Sequence, residues 1–286
     1  MGGAKYNIDH RFLRAKKAGY ASKAVNDIFT QNKERRAHNS MVPKNIEYRE
    51  ARDSEIHPNS FPVILALDVT GSMGHIPHDL IKDGLPKLMG GIIQDGVPDT
   101  ALLFLGIGDH ECDAYPLQVG QFESGDEELD MWLTRTYIES GGGGNAGESY
   151  LLAWYFAAFH TRTDAFEKRK QKGVLVTIGD EPNLKSLPAS AIKEIMGAGQ
   201  QTYSDIELLE EAKKRYEVFH VSVTHSPRAV EAEKGWKELL GNNCISVSDY
   251  KTIPEVIKNL VCEKYETNKG VKTDISETGF DDIDML

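Results

Sequence analysis

Short apolar runs alternate with amphipathic stretches along residues 61–263. The runs at 62–67, 101–107, 117–122, 174–178, 218–223 and 245–247 have the length of buried strands. Strands that alternate with helices are typical of a mostly parallel sheet covered on both faces. The link between the second and third runs is short enough for a hairpin, so we predict an antiparallel third strand at the sheet edge. The pattern predicts a Rossmann-like α/β fold with a six-stranded sheet.

Helices are predicted between these strands. Over residues 76–93 apolar side chains recur at helical spacing for four or five turns. Residues 150–160 are almost wholly apolar, which predicts a well-buried helix. Further helices are predicted at 127–137, 189–196, 205–216, 228–239 and 253–262.

The pattern divides the chain into three parts. Residues 1–60 show helical spacing only over 16–36 and are then polar and proline-containing, so we predict a basic, partly helical N-terminal extension. Residues 61–263 form the α/β domain. Residues 264–286 are polar and acidic with interleaved apolar residues, and we predict a flexible tail.

Composition favours a cytoplasmic protein. The chain has 286 residues, of which 40% are hydrophobic and 27% are charged, as in soluble globular proteins. No apolar run approaches the roughly 18 residues that span a bilayer, and the first residues lack the apolar segment of a signal peptide. The three cysteines are widely spaced without a CxxC pair, so neither a disulfide framework nor a zinc site is predicted. We predict no contact with a membrane.

Charge is distributed unevenly. Residues 1–55 contain 12 Lys and Arg against 7 Asp and Glu, whereas the remaining residues contain 21 basic and 37 acidic side chains. A basic arm before an acidic body can indicate a nucleic-acid contact. An arm that folds back on its own acidic domain explains the asymmetry equally well. We therefore do not predict a nucleic-acid partner.

Acidic residues follow most of the predicted parallel strands. The residues just beyond the strand ends are Asp68, Asp109, Asp180, His225 and Asp249. In an open parallel sheet the loops that leave the carboxyl ends of the strands gather at one edge, where ligands bind. We interpret the hairpin at 109–113 as a solvated turn that adds negative charge there. The sequence thus predicts an acidic binding edge.

One turn in this edge has the chemistry of a magnesium site. In the stretch DVTGS, Asp68 ends a buried strand, and Thr70 and Ser72 follow at alternate positions. One carboxylate and two hydroxyls suit Mg²⁺, which prefers oxygen ligands and keeps several waters, better than they suit a softer metal. We predict Mg²⁺, or Mn²⁺, as the cofactor.

The sequence Asp68-x-Thr70-x-Ser72 resembles the metal-ion-dependent adhesion site (MIDAS) of von Willebrand factor A (vWA) domains, and the resemblance extends over residues 61–262. It implies that Thr70 replaces the family's first Ser and that Asp180 matches its late Asp. The second loop departs from the family, because GGGGNAG places Gly144 where a Thr ligand is expected. Asn145 or Glu148 could substitute, water could fill the position, or affinity could be low. We favour Glu148, since a carboxylate is stabilised at a helix start.

The resemblance also implies a function. In vWA domains an Asp or Glu of a partner protein completes the metal coordination, and members inside bacterial cells act beside AAA+ ATPases or in the assembly of larger complexes. We therefore predict a non-catalytic, cytoplasmic adaptor module of bacterial or phage type. A metal-dependent hydrolase that uses the acidic edge is the alternative. A small ligand in a Rossmann-like crevice is the third possibility, although no GxxxxGK[ST] or GxSxG motif is present.

Overall fold

The computed structural model describes residues 4–139 and 147–277. Its strands are β1 Arg49–Ala51, β2 Phe61–Asp68, β3 Thr100–Ile107, β4 Leu117–Val119, β5 Thr161–Thr163, β6 Gly173–Gly179, β7 Ser186–Leu187, β8 Tyr203–Ser204, β9 Tyr216–Val223 and β10 Cys244–Val247. Its α-helices are α1 Ile8–Ala18, α2 Val25–Ile28, α3 Gln31–Glu34, α4 Ile76–Asp79, α5 Leu85–Gln94, α6 Asp126–Thr134, α7 Leu151–Phe159, α8 Asp164–Arg169, α9 Ala189–Met196, α10 Asp205–Lys213, α11 Pro227–Leu240 and α12 Ile253–Glu277.

Six strands form one sheet in the order β10-β9-β6-β2-β3-β4. All neighbours pair in parallel except β3 and β4, which are antiparallel at the edge. The predicted α/β fold is therefore confirmed, and its topology is consistent with a vWA-like fold. Asp68, the last residue of β2, lies opposite Ile107 of β3. The central strand thus ends in the candidate site residue.

Helices cover both faces of this sheet because the side chains of β2 alternate between two hydrophobic clusters. Val63, Leu65 and Leu67 belong to the cluster that includes residues of α5, α6 and α12. Ile64 and Ala66 belong to the cluster that includes residues of α7, α10 and α11. Every residue of β2 is buried. A strand that contributes to two cores has little freedom to move, so it provides a rigid support for the loop that follows it.

The helix predicted over 76–93 is interrupted by a π-helical segment, Leu80–Gly84, between α4 and α5. Pro86 explains part of this irregularity, because proline has no N–H to donate to the carbonyl four residues earlier. That carbonyl belongs to Lys82, and it accepts a hydrogen bond from Arg11 Nη2 at 2.5 Å instead. The N-terminal extension thus compensates for a local defect in the body.

The single helix predicted over 16–36 is wrong. Helix α1 ends at Ala18, because the next residue, Gly19, has a left-handed φ of 72°. Only the short helices α2 and α3 follow before residue 36. The basic extension packs on the acidic body at several places, among them the following two. Arg11 forms a buried ion pair with Asp130, and β1 pairs in parallel with β5. Neither this two-stranded sheet nor the antiparallel pair β7–β8, whose connection contains α9, was predicted from the apolar pattern.

Helix α12 is longer than predicted. It continues from Ile253 to Glu277, across the domain boundary predicted at 263. Part of the reason is packing, because Tyr265 meets Phe61 edge to face with ring centroids 5.1 Å apart. The predicted tail segment 278–286 and the glycine-rich stretch 140–146 lie outside the described residues. Among residues 4–139 and 147–277, no helix combines the length and apolar character needed to cross a lipid bilayer.

Candidate metal centre

Asp68 provides the buried carboxylate of the site. Its Oδ1 accepts hydrogen bonds from the Thr70 amide at 2.9 Å and from the Thr70 hydroxyl at 2.6 Å. The side chain is fully buried. Burial raises the pKa of Asp68 to about 7, and the charge of Asp180 acts in the same direction, although the hydrogen bonds from Thr70 oppose the shift. A carboxylate in this environment is stabilised by a nearby positive charge.

Tyr150 holds the other oxygen of this carboxylate. Its hydroxyl donates to Asp68 Oδ2 at 2.7 Å, and its ring is fully buried against Trp236 and His220. A Cβ atom at Gly179 would overlap the Tyr150 hydroxyl, so the end of β6 must be glycine for the contact to form. We did not predict Tyr150 as a site residue, because nothing in its sequence context indicates a contact with residue 68.

The hydroxyls continue the site toward the next strand. The Thr70 and Ser72 hydroxyl oxygens are 3.3 Å apart, and Ser72 Oγ donates to Asp180 Oδ1 at 2.8 Å. The other oxygen of Asp180 lies 3.1 Å from His225 Nε2. The loops after β2, β6 and β9 therefore meet at one edge. Four of the predicted ligands therefore form one row, here called the ligand row, of two hydrogen-bonded pairs, Thr70 with Asp68 and Ser72 with Asp180, whose hydroxyl oxygens are in contact.

Glu148 lies beside the ligand row. Its amide donates to Pro182 O, and its carbonyl accepts from the Leu184 amide, so the backbone is held by the loop after β6. The Glu148 carboxyl is within hydrogen-bond reach of Thr70, and burial followed by the charge of Asp68 raises its pKa to about 9. Its Oε2 atom has no hydrogen-bond partner among the described residues. The other substitute considered for the missing Thr ligand, Asn145, is outside the residues that the structure describes, as is Gly144.

A second group of carboxyls adjoins the site. Asp109 follows β3 and is only 1% exposed, so the interpretation of residues 109–113 as a solvated turn is wrong at this position. Its Oδ1 accepts from the Glu111 amide at 2.9 Å. Asp113 and Glu139 share a carboxyl–carboxyl hydrogen bond, and burial followed by the charge of Asp113 raises the pKa of Glu139 to about 7. Asp249, in contrast, is the N-cap of the short helix that follows it and does not join either group.

The donor atoms fit a hard divalent cation. Within the described residues, no group of three or more His, Cys, Asp or Glu side chains is arranged to hold a metal. The site instead combines carboxylates with the hydroxyls of Thr70 and Ser72, a set of oxygen atoms that suits Mg²⁺ or Mn²⁺. The unpartnered Oε2 of Glu148 adds a buried acceptor that a cation would satisfy.

The same atoms are not arranged for nucleophilic catalysis. In a catalytic triad the histidine lies between the serine and the aspartate and accepts the serine proton. Here Asp180 lies between Ser72 and His225. The Ser72 hydroxyl donates to a carboxylate and has no contact with the imidazole that would activate it.

Comparisons with known proteins give only distant similarities. No protein-family model matches the sequence, and the search of curated proteins found no match. Among solved structures, the chain is similar to proximal thread matrix protein 1 of the mussel byssus, with a TM-score of 0.49 and 8% identity over 77% of this chain and 49% of that chain. It is also similar to the pilus adhesin SpaC of Lactobacillus rhamnosus GG in its open conformation, with a TM-score of 0.47 and 10% identity over 75% of this chain and 31% of that chain. A third similarity is to the SpRpn10 VWA domain, with a TM-score of 0.43 and 11% identity over 68% of this chain and 93% of that chain. These similarities are too weak to carry a conclusion about function.

Proposed function

We propose that this protein is a non-catalytic, divalent-metal-dependent protein-binding module. The observation that supports the proposal is the ligand row of Asp68, Thr70, Ser72 and Asp180, in which the hydrogen bond from Ser72 to Asp180 joins the loops after β2 and β6 at the carboxyl edge of the sheet. In an open parallel sheet this edge is where ligands bind. Mg²⁺ or Mn²⁺ is the proposed cofactor, held by these four side chains together with Glu148.

The surrounding residues give the site its properties. Tyr150 fixes the orientation of the Asp68 carboxylate, and burial of both residues excludes water from its inner side. Two of the five proposed ligands are uncharged hydroxyls, and five side chains leave one of the six octahedral positions of Mg²⁺ open for an acidic group. Glu148, whose backbone is fixed by the loop after β6, replaces the Thr that the vWA resemblance leads one to expect at position 144.

The proposed ligand is an Asp or Glu side chain of a partner protein. Without a metal, the acidic body repels an acidic residue of a partner. With the metal bound, that residue can coordinate the cation, so partner binding is expected to depend on the metal. On the vWA resemblance we further propose that the partner is an AAA+ ATPase or a component of a larger assembly in the cytoplasm. The order of Ser72, Asp180 and His225 supports a binding role rather than catalysis by a serine nucleophile.

Calorimetry tests the metal site directly. Mg²⁺ and Mn²⁺ are titrated into EDTA-stripped protein, into Asp68→Asn and into Asp249→Asn, which changes a strand-end acid outside the site. We expect saturable binding in the wild type and Asp249→Asn, and at least a tenfold weaker binding in Asp68→Asn. Equal affinity in all three proteins, or no binding up to about 10 mM, would overturn the proposal.

The open position is tested with Mn²⁺-loaded protein. Water-proton relaxation reports exchangeable water on the ion, and acetate serves as the probe for a partner carboxylate. We expect acetate to lower the relaxation enhancement in a saturable way. A loaded site that shows no enhancement, or none that acetate changes, would contradict the proposed mode of partner binding.

A further inference from the structure

Two open grooves lie on the surface on either side of the π-helical segment. The first, here called the α1 groove, is about 360 Å³ and lies between α1 and Lys82. The second, the α12 groove, is about 370 Å³ and lies between Lys87 and the start of α12. Asp83 lines both grooves. They therefore form one continuous surface, which contains none of the residues of the candidate metal centre.

This surface is basic, although the chain has a net charge of −11. Four lysines line it: Lys16, Lys82, Lys87 and Lys251. None of the four forms an ion pair with any described residue. Two acids oppose them, and one of these, Asp79, accepts a hydrogen bond from the Tyr250 hydroxyl at 2.8 Å. Four cations without partners, gathered on an acidic protein, attract an acidic ligand.

The same surface is also apolar. Phe12, which is 42% exposed, lines the α1 groove with Ala15 and Tyr20. Leu80 and Pro254 line the α12 groove. Apolar walls between separated lysines suit a peptide in which apolar and acidic side chains alternate. They suit a nucleic-acid backbone or a phospholipid headgroup less well, because phosphate groups would leave Phe12, Leu80 and Pro254 without an apolar partner.

We propose that this surface binds residues 278–286 of a second copy of the chain. That segment reads TGFDDIDML. Its three aspartates complement the four lysines, and Phe280, Ile283, Met285 and Leu286 supply apolar side chains for the grooves. The proposal does not depend on the metal site or on the function proposed for it.

The length of the segment explains why it must come from another molecule. Helix α12 has 25 residues, so at 1.5 Å per residue its ends are about 36 Å apart. Pro254, at its start, lines the α12 groove, whereas the segment 278–286 follows its other end. Nine extended residues span at most about 31 Å. A segment that starts beyond Glu277 therefore cannot lie across the groove of its own chain.

Such a contact joins two different surfaces and generates open chains or rings of molecules rather than a symmetric dimer. Each added molecule brings another copy of the edge described above. A partner with several acidic sites would then be held by several copies at once, which raises the effective affinity without any new contact.

The first test measures binding of the segment. A fluorescein-labelled peptide of residues 274–286 is titrated, in EDTA, with the chain shortened by deletion of 278–286. The groove variant is Lys82→Glu/Lys87→Glu, and the control Lys193→Glu/Lys234→Glu makes the same change in net charge on α9 and α11. We expect saturable fluorescence anisotropy that is at least tenfold weaker for the groove variant and unchanged for the control.

The second test measures association of the full chain by sedimentation velocity. We expect assembly that grows with concentration and is lost on deletion of 278–286 or in the groove variant. Equal weakening by both charge variants, or equal binding of a peptide with the same composition in scrambled order, would overturn the proposal. So would groove-dependent binding of a single-stranded oligonucleotide or of phosphatidylserine vesicles without peptide binding, or a full chain that stays monomeric.

Discussion

At the scale of single residues, the site depends on a position without a side chain. Gly179 ends β6 directly below the Tyr150 hydroxyl, which in turn donates to Asp68. Asp68 cannot change its orientation without breaking that contact. The three residues are far apart in the sequence, and together they determine the orientation of one carboxylate.

We expect Gly179→Ala to destabilise the protein by about 1–3 kcal/mol, because the added methyl group must displace a fully buried tyrosine. Urea denaturation provides the measurement. Gly235→Ala is the matched control, since Gly235 lies in α11 and a Cβ atom there meets nothing within 4 Å. The control should be neutral or slightly stabilising, as expected for Gly to Ala in a helix. A Gly179→Ala protein as stable as the wild type would contradict the role assigned to this contact.

Part of the candidate site could be predicted from the sequence at this scale. Asp68, Thr70 and Ser72 are neighbours, so their spacing alone places three oxygen donors in one turn. Tyr150 could not be found in this way, because its contact joins residues 82 positions apart and an apolar helix start carries no signal for it. His225 was predicted at the edge, but its pairing with Asp180 depends on the relative positions of two loops.

At the scale of elements, the N-terminal extension is attached by specific polar contacts. Arg11 is 2% exposed and donates hydrogen bonds to the Lys82 carbonyl and to the Asp130 carboxylate. The Lys82 carbonyl lacks a helical partner because of Pro86. Farther along, Arg52 forms an ion pair with the buried Asp164 at 2.8 Å. The charge asymmetry seen in the sequence is thus explained, at least for these residues, by contacts within the chain.

We expect Arg11→Ala to lower the free energy of unfolding by about 3 kcal/mol, since it leaves a buried carboxylate and a helix carbonyl without a main partner. The control is Lys33→Ala, which removes an exposed ion pair with Asp27 and should cause no measurable change. Both are compared by urea denaturation. A loss below about 1 kcal/mol for Arg11→Ala would show that α1 is held mainly by its apolar contacts.

Elements were predicted well where one physical signal was dominant. The six strands of the main sheet were all predicted, because each is a short apolar run between polar turns. The helix over 16–36 was wrong, because apolar spacing continues across Gly19 although the backbone there is left-handed. The two small sheets were missed, since strands of two or three residues are too short to show a period.

At the scale of the whole molecule, buried acids set the dependence of stability on pH. Burial raises the pKa of Asp68 to about 7, of Glu139 to about 7 and of Glu148 to about 9. A carboxyl with a raised pKa binds a proton more tightly in the folded state than in the unfolded state. Ionising it therefore costs stability, and this cost appears as pH rises from the unfolded pKa to the folded one.

We expect the metal-free protein to become less stable as pH rises from about 5 to about 9, with the Glu139 contribution complete near pH 7. Urea midpoints in EDTA provide the measurement. Glu139→Gln should reduce the slope below pH 7, whereas Glu210→Gln, on the exposed face of α10, should keep the slope of the wild type. A urea midpoint that rises with pH over this range would contradict the conclusion that burial raises the pKa of these carboxyls.

The contacts of the extension also limit how early it can fold onto the body while the chain is being synthesised. Residues of the extension precede their hydrogen-bond partners in the body by as many as 119 positions, as for Arg11 and Asp130. At 5–20 residues per second, about 6 to 24 seconds pass on the ribosome before the partner has been added. Throughout that time Arg11 is already present but lacks the Asp130 carboxylate, and until residue 82 is added it also lacks the Lys82 carbonyl. Closure of the extension over the body therefore cannot precede synthesis of α6, and protection of the extension in the nascent chain from proteases should appear only after it.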